Sequence, residues 1–148
     1  MRYLSWLLCL LFACSSPSPP ASEDFSPEAK EVLGNLETFF AAASVYDYVI
    51  MEELCLRDFH FSESGESWTL DQLITFMDYD RETVRIEYKI VPDDVNVKRT
   101  LAWVHFHNHA SVFEGGVESK ITWQQTAALK KTSEGWLLIR IEGERISL

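Results

Sequence analysis

The sequence predicts an α+β domain. Apolar residues recur at helical spacing up to about residue 78, the period changes to two from residue 84, and glycine-bearing turns divide the second half into long strands. The helical half opens at Ser26-Pro27, which has the form of an N-cap followed by proline at the first helical position. Ala29, Val32, Leu33, Leu36, Phe39, Phe40 and Ala43 then line one face of a long amphipathic helix. Asp47 is placed to cap a second helix running to Leu56, with Cys55 read as a small buried residue between two leucines. Phe59 and Phe61 alternate in "RDFHF", a short strand, and "SESGES" turns the chain. Thr69 and Gln72 form a capping-box pair ahead of Leu70, Leu73, Ile74 and Met77, so a third helix is expected over residues 70 to 78.

In the second half, Val84, Ile86, Tyr88 and Ile90 alternate with Arg85, Glu87 and Lys89, the pattern of a half-buried strand that "PDDVN" is expected to interrupt. Three longer strands follow, at about 99 to 114, 117 to 131 and 135 to 147. They are joined by Gly115-Gly116 and by Ser133-Glu134-Gly135.

Before the domain comes a segment of different character. "MRYLSWLLCLLFAC" has one positive charge, an apolar run and Ala13 directly before Cys14, the build of a signal peptide over residues 1–13. The run is shorter than the roughly 20 apolar residues that span a bilayer. Leu11-Phe12-Ala13-Cys14 resembles a bacterial lipobox, which implies a lipidated Cys14, and the Ser/Pro-rich residues 14–25 then read as a flexible tether before a domain at 26–148. The expected location is the bacterial cell envelope, lipid-anchored on the periplasmic or outer-membrane side. An ordinary cleaved signal, leaving a secreted protein, is the alternative.

A net charge of −10, more negative still once Arg2 is removed, argues against nucleic acid as a partner. Cys55 would be the only thiol of the folded part, which rules out an intrachain disulfide and a cysteine metal cluster.

The order of elements, and above all the ending "TAALKKTSEGWLLIRIEGERI", resembles the nuclear transport factor 2-like superfamily, in particular its SnoaL-like branch. The resemblance covers roughly residues 27 to 148. It implies a cone-shaped fold in which three N-terminal helices pack on a curved antiparallel sheet and enclose a pocket. Members of that superfamily include isomerases, polyketide cyclases and non-catalytic binding modules, so the fold leaves the activity open.

Hairpin register decides which residues share the pocket face. With Gly115-Gly116 as a two-residue turn, Glu114 faces Val117, Asn108 faces Trp123 and Phe106 faces Gln125. Pairing Lys131 with Trp136 in the next hairpin places Glu142 opposite Gln125 and Arg140 opposite Ala127. The expected ligand-binding face therefore holds Phe106, Asn108, Trp123, Gln125, Trp136, Arg140 and Glu142. The resemblance makes Glu142 the candidate general base, since cyclases of the SnoaL-like branch carry an aspartate near that position. A plain Arg140–Glu142 ion pair is the competing reading.

His105, His107 and His109 fall on the opposite face with Leu137, Ile139 and Ile141. Strand neighbours on one face are about 7 Å apart, so at most two of the three histidines reach one ion, and no metal or cofactor is expected. A bulge would turn the histidines into the pocket; otherwise that face is left for solvent or for a second subunit, and a homodimer through it is expected. Two function classes remain. One is an anchored module that binds a small apolar molecule or serves in interaction; the other is a cyclase or isomerase with Glu142 as base.

Overall fold

The computed structural model describes residues 25–146. Its elements are α1 (Pro27–Ser44), α2 (Tyr48–Glu53), β1 (Cys55–Glu63), β2 (Glu66–Thr69), α3 (Leu70–Asp80), β3 (Val84–Lys98), β4 (Leu101–Glu114), β5 (Val117–Thr132) and β6 (Gly135–Ile146). The segment expected to be a signal peptide, Cys14 and nearly all of the expected tether lie outside the described residues. Among those described, no helix is long and apolar enough to cross a membrane.

The helix caps follow from side-chain oxygens placed ahead of free backbone N–H groups. Ser26 Oγ accepts from Ala29 N at 3.2 Å and Asp47 Oδ1 from Ile50 N at 3.2 Å. Thr69 and Gln72 close a reciprocal capping box on α3, Gln72 N donating to Thr69 Oγ1 at 3.3 Å and Thr69 N to Gln72 Oε1 at 3.0 Å. The second helix is shorter than expected. It ends at Glu53, the carbonyl of Leu54 accepts from Leu138 N at 2.8 Å, and Cys55 already belongs to β1.

One sheet runs in the order β2-β1-β6-β5-β4-β3. The four long strands form the expected antiparallel meander, but β1 lies parallel to β6, so the sheet is mixed. A parallel pair needs a long crossover, and here α3 with β3, β4 and β5 supplies it. β3 also differs from expectation, since it continues through Pro92 to Lys98. It is an edge strand, where proline costs no ladder bond, and the pairing shift between Pro92 and Asp94 absorbs the extra residue Asp93.

The core lies between the buried face of α1 and the inner face of the sheet. Val32, Leu36, Phe39 and Phe40 meet Ala102, Val104, Phe106, Ala127, Leu129, Leu138 and Ile141 in a single cluster. Phe40 sets its ring against both Phe106 and Tyr88, centroids 6.0 and 5.2 Å apart. α3 differs from α1 in having no fully buried residue; Leu70, Leu73 and Met77 only lean on the core. It forms a wall over a space rather than a layer of the core.

Candidate functional site

Between α1, α3 and the inner sheet face lies a cavity of about 630 Å³. Its walls are mostly apolar and aromatic, with Phe39, Phe40 and Met51 behind, Phe61 and Trp68 at one side, and Leu73, Phe76 and Met77 of α3 across from Ile86, Val112 and Ile121. That is the usual make-up of a small-molecule pocket, an apolar lining with a few polar groups that set orientation.

Register brings Asn108, Trp123 and Gln125 together, while Tyr46, Glu63, Ser64, Glu66 and Asp80 line the cavity from other elements. The β4–β5 pairing is Glu114↔Val117, Asn108↔Trp123 and Phe106↔Gln125, and Gly115 and Gly116 take the positive φ values (57° and 81°) that a tight hairpin turn of this kind requires. On β6 the phase changes. Lys131 pairs with Trp136 and Leu129 with Leu138, then Ala128 pairs with Arg140, so Ile139 is an extra residue. From there on the faces are exchanged, and Thr126, not Gln125, stands opposite Glu142.

The consequences for the expected site are specific. Asn108, Trp123 and Gln125 line the cavity. Phe106 and Trp136 share the inner side but sit in the packed core, 0% and 1% exposed, and neither lines the cavity. Arg140 and Glu142 are corrected to the outer face, where they are half exposed and paired at 3.4 Å. Glu142 therefore cannot serve as a base inside the cone. Ile141, expected beside the histidines, turns into the core at 0% exposure.

The sequence reading missed Glu63. Phe59, Phe61 and Glu63 occupy alternate positions of β1, so extending the expected short strand by two residues brings Glu63 onto the inner face. There its Oε1 accepts from Trp123 Nε1 at 2.6 Å. Glu63 pairs with Gly143 on β6, and Gly143 pairs with Gln125 on β5, so a residue without a side chain separates the carboxylate from the amide. A Cβ at Gly143 would lie 2.3 Å from the Gln124 carbonyl oxygen and 2.7 Å from Gln125 Cγ. Only glycine fits that approach. Asn108 and Gln125, 2% and 3% exposed, are hydrogen-bonded to each other, Asn108 Nδ2 donating to Gln125 Oε1 at 3.1 Å. Tyr88 stands nearby, its hydroxyl pKa pushed up to about 12 by burial, with Tyr46 and Glu63 adding to the effect. Tyr46 itself holds a left-handed backbone (φ 59°) between α1 and α2 and donates its hydroxyl to the Val84 carbonyl.

All four histidines lie on the outer face. Nδ1 is engaged in each: His105 with Thr126 Oγ1 (2.9 Å), His109 with Thr122 Oγ1 (3.0 Å), His107 with Asp93 (2.9 Å) and His60 with the Asp58 carbonyl (2.7 Å). The bulge thus moved Glu142 but left the β4 histidines where the hairpin register put them. Among the described residues no group of three or more His, Cys, Asp or Glu side chains is arranged to hold a metal ion.

Comparison with known proteins supports this architecture. No curated protein sequence matches the chain. Among solved structures, a conserved protein from Planctomyces limnophilus superposes with a TM-score of 0.74 at 15% identity, covering 80% of this chain and 96% of that one. A ketosteroid isomerase-like protein from Erwinia carotovora atroseptica gives 0.67 at 20% identity, covering 84% and 100%. An NTF2-like protein with a cystatin-like fold from Novosphingobium aromaticivorans gives 0.70 at 16%, covering 81% and 82%. At these identities the likeness is one of fold. The SnoaL-like domain family matches residues 32–143, most of the folded chain, and the protein therefore belongs to the SnoaL-like domain family, with a fold that it shares with NTF2-like proteins.

Proposed function

We propose that the protein is an anchored binding module whose cavity takes a small, largely apolar molecule. The observation that carries this reading is the cavity itself, about 630 Å³ of apolar and aromatic wall with Asn108, Gln125, Trp123 and Glu63 grouped at one place on the sheet. An uncharged environment-sensitive dye such as N-phenyl-1-naphthylamine should bind saturably and brighten. Val112→Trp, which fills the lumen from β4, should abolish that signal; equal binding by the two proteins would refute the assignment.

Two further parts of the proposal rest on other residues. Cys14, behind Ala13 and ahead of the Ser/Pro-rich stretch, is the proposed lipid attachment point, which would hold the domain at the bacterial envelope. In a bacterial host, wild-type protein should partition into detergent and Cys14→Ser should not. The outer sheet face, which carries the histidines, is the proposed contact between two copies.

A catalytic reading finds its one favourable observation in Glu63, which lines the cavity with Glu66 and Asp80 and alone of the three is hydrogen-bonded to Trp123. A cyclase- or isomerase-type proton abstraction would use Glu63, not Glu142, and would need the Trp123 hydrogen bond to loosen. Under that reading Glu63→Gln lowers turnover of a carbonyl substrate by about 10² to 10⁴, the usual contribution of a general base. Unchanged turnover would eliminate it.

A further inference from the structure

The buried amide pair does more than tie β4 to β5. Asn108 Nδ2 donates to Gln125 Oε1, and Asn108 Oδ1 is then left as a buried acceptor with no partner. No described residue takes a hydrogen bond from Gln125 Nε2, which, unlike Asn108 Oδ1, is not one of the buried atoms left without a partner. Native interiors rarely leave such atoms unpaired, and those that remain ask for a group from elsewhere. Turning both amides over does not alter this. Gln125 Nε2 would donate to Asn108 Oδ1, and the free pair would become Gln125 Oε1 and Asn108 Nδ2. In either arrangement the two side chains hold one acceptor and one donor that the bond between them does not use.

The backbone fixes that couple on the cavity wall. Asn108 and Gln125 come from adjacent strands in a pairing set by the Gly115-Gly116 turn. Opposite Gln125, the bare Gly143 leaves free the space that the Gln125 side chain occupies. The Glu63 carboxylate on the far side of Gly143 is already engaged by Trp123, and Tyr46, Ser64, Glu66, Asp80 and Tyr88 are the other polar residues of a mostly apolar lining.

We propose that this pair selects the ligand: an apolar ring system carrying an N–H or O–H donor directly beside a carbonyl acceptor, as a lactam does. The proposal rests on the cavity-binding reading and adds to it the polar group that the ligand must carry. A hydrocarbon of the same outline leaves both amides unpaired on binding, and an N-alkylated lactam leaves the acceptor unpaired and places a methyl group against it. Sites built to bond a polar group discriminate strongly against analogues that lack it.

Three probes of nearly equal shape test this on the wild-type chain: phenanthridin-6(5H)-one, its N-methyl derivative and phenanthrene. The lactam should bind about 10- to 100-fold tighter than the other two, the range expected when a buried acceptor and donor are left unsatisfied. Asn108→Leu should remove most of that preference while phenanthrene affinity is kept or improved. Equal affinities of the lactam and its N-methyl derivative in the wild type, with phenanthrene still bound, would overturn the selection by the amide pair and leave the cavity reading standing. Failure of all three to bind would overturn both. The comparison among probes needs no variant, so the proposal is decided even if Asn108→Leu does not fold.

Discussion

Gly143 is the residue on which the site's geometry turns. It stands on β6 after its bulge, opposite Gln125 of β5, and the nearest atoms a methyl group would meet are the backbone oxygen of Gln124 and the Cα and Cγ of Gln125. Backbone cannot yield cheaply there, so Gly143→Ala should destabilise by about 1–3 kcal/mol, the usual cost of overpacking. Urea denaturation of the purified domain would show it as a lower midpoint, and an unchanged midpoint would mean that the close approach is relieved elsewhere. Cys55 gives a second expectation at this scale. Burial pushes its thiol from an ordinary value near 9 up to about 12, so the native chain keeps a proton that the unfolded chain loses. The contribution is complete below about pH 9 and is lost as pH rises toward 12, with a limiting slope of about 1.4 kcal/mol per pH unit. Tyr88, raised to about 12 by the same cause, adds its share from about pH 10. Unfolding free energies at pH 8, 9.5 and 10.5 should therefore fall, and Cys55→Ala should flatten the first part of that decline.

Among the elements, α3 is the long helix that packs least deeply. It buries no residue completely, Phe76 is 68% exposed and Tyr79 89%, and its start depends on the Thr69–Gln72 capping box. Thr69→Ala removes one half of that box and should cost about 1 kcal/mol. Because its other ties are partly buried packing by Leu70, Leu73 and Met77 and the Tyr48–Asp78 hydrogen bond, the loss should appear locally, as faster amide exchange through residues 70–80 with α1 unchanged. Uniform acceleration throughout the domain would show instead that α3 unfolds only with the rest. Elements of this size also set what the sequence could reveal. The caps at Ser26, Asp47 and Thr69, the helix faces and the β4–β5 register were all legible, because each depends on residues within a few positions of one another or on a two-residue glycine turn. The β6 bulge depends on β1, whose pairing shifts between Cys55 and His60 at the level where β6 passes from Leu138 to Arg140. That is a contact between residues about eighty positions apart, beyond any local pattern. A trace of it is nevertheless present in "IRIEGE": charged residues at Arg140, Glu142 and Glu144 alternate with Ile139, Ile141 and Gly143, a phase at odds with Trp136 and Leu138 on the inner face. Glu63 was hidden for a simpler reason, since the polar "SESGES" reads as a loop although β1 and β2 pair through it from His60↔Thr69 to Glu63↔Glu66.

For the whole molecule, the open question is what covers the outer sheet face. The bulge takes Ile141 away from that face and leaves the Arg140–Glu142 pair on it, so the apolar part is smaller than the strand pattern implies. What remains is a groove of about 600 Å³ that includes Leu101, Trp103 and Ile139, with His60 and Arg140 at its edge. Every histidine on this face has one ring nitrogen engaged within its own chain, which fixes the rings and leaves the other nitrogen to point outward. A two-fold contact proposed here would bring each copy's Trp103 and Ile139 against the same surface of the other, since an isologous interface must be self-complementary. Trp103→Asp places an unpaired charge within that contact, at a cost of about 3–5 kcal/mol, and should weaken association by at least about a hundredfold. Ile141→Asp, by contrast, should unfold the domain, because that side chain belongs to the core. Sedimentation equilibrium over a wide concentration range separates the cases. A wild type that dimerises and a folded Trp103→Asp that does not would support the contact. A wild type monomeric at high concentration, or a Trp103→Asp dimer of undiminished strength, would return this face to solvent.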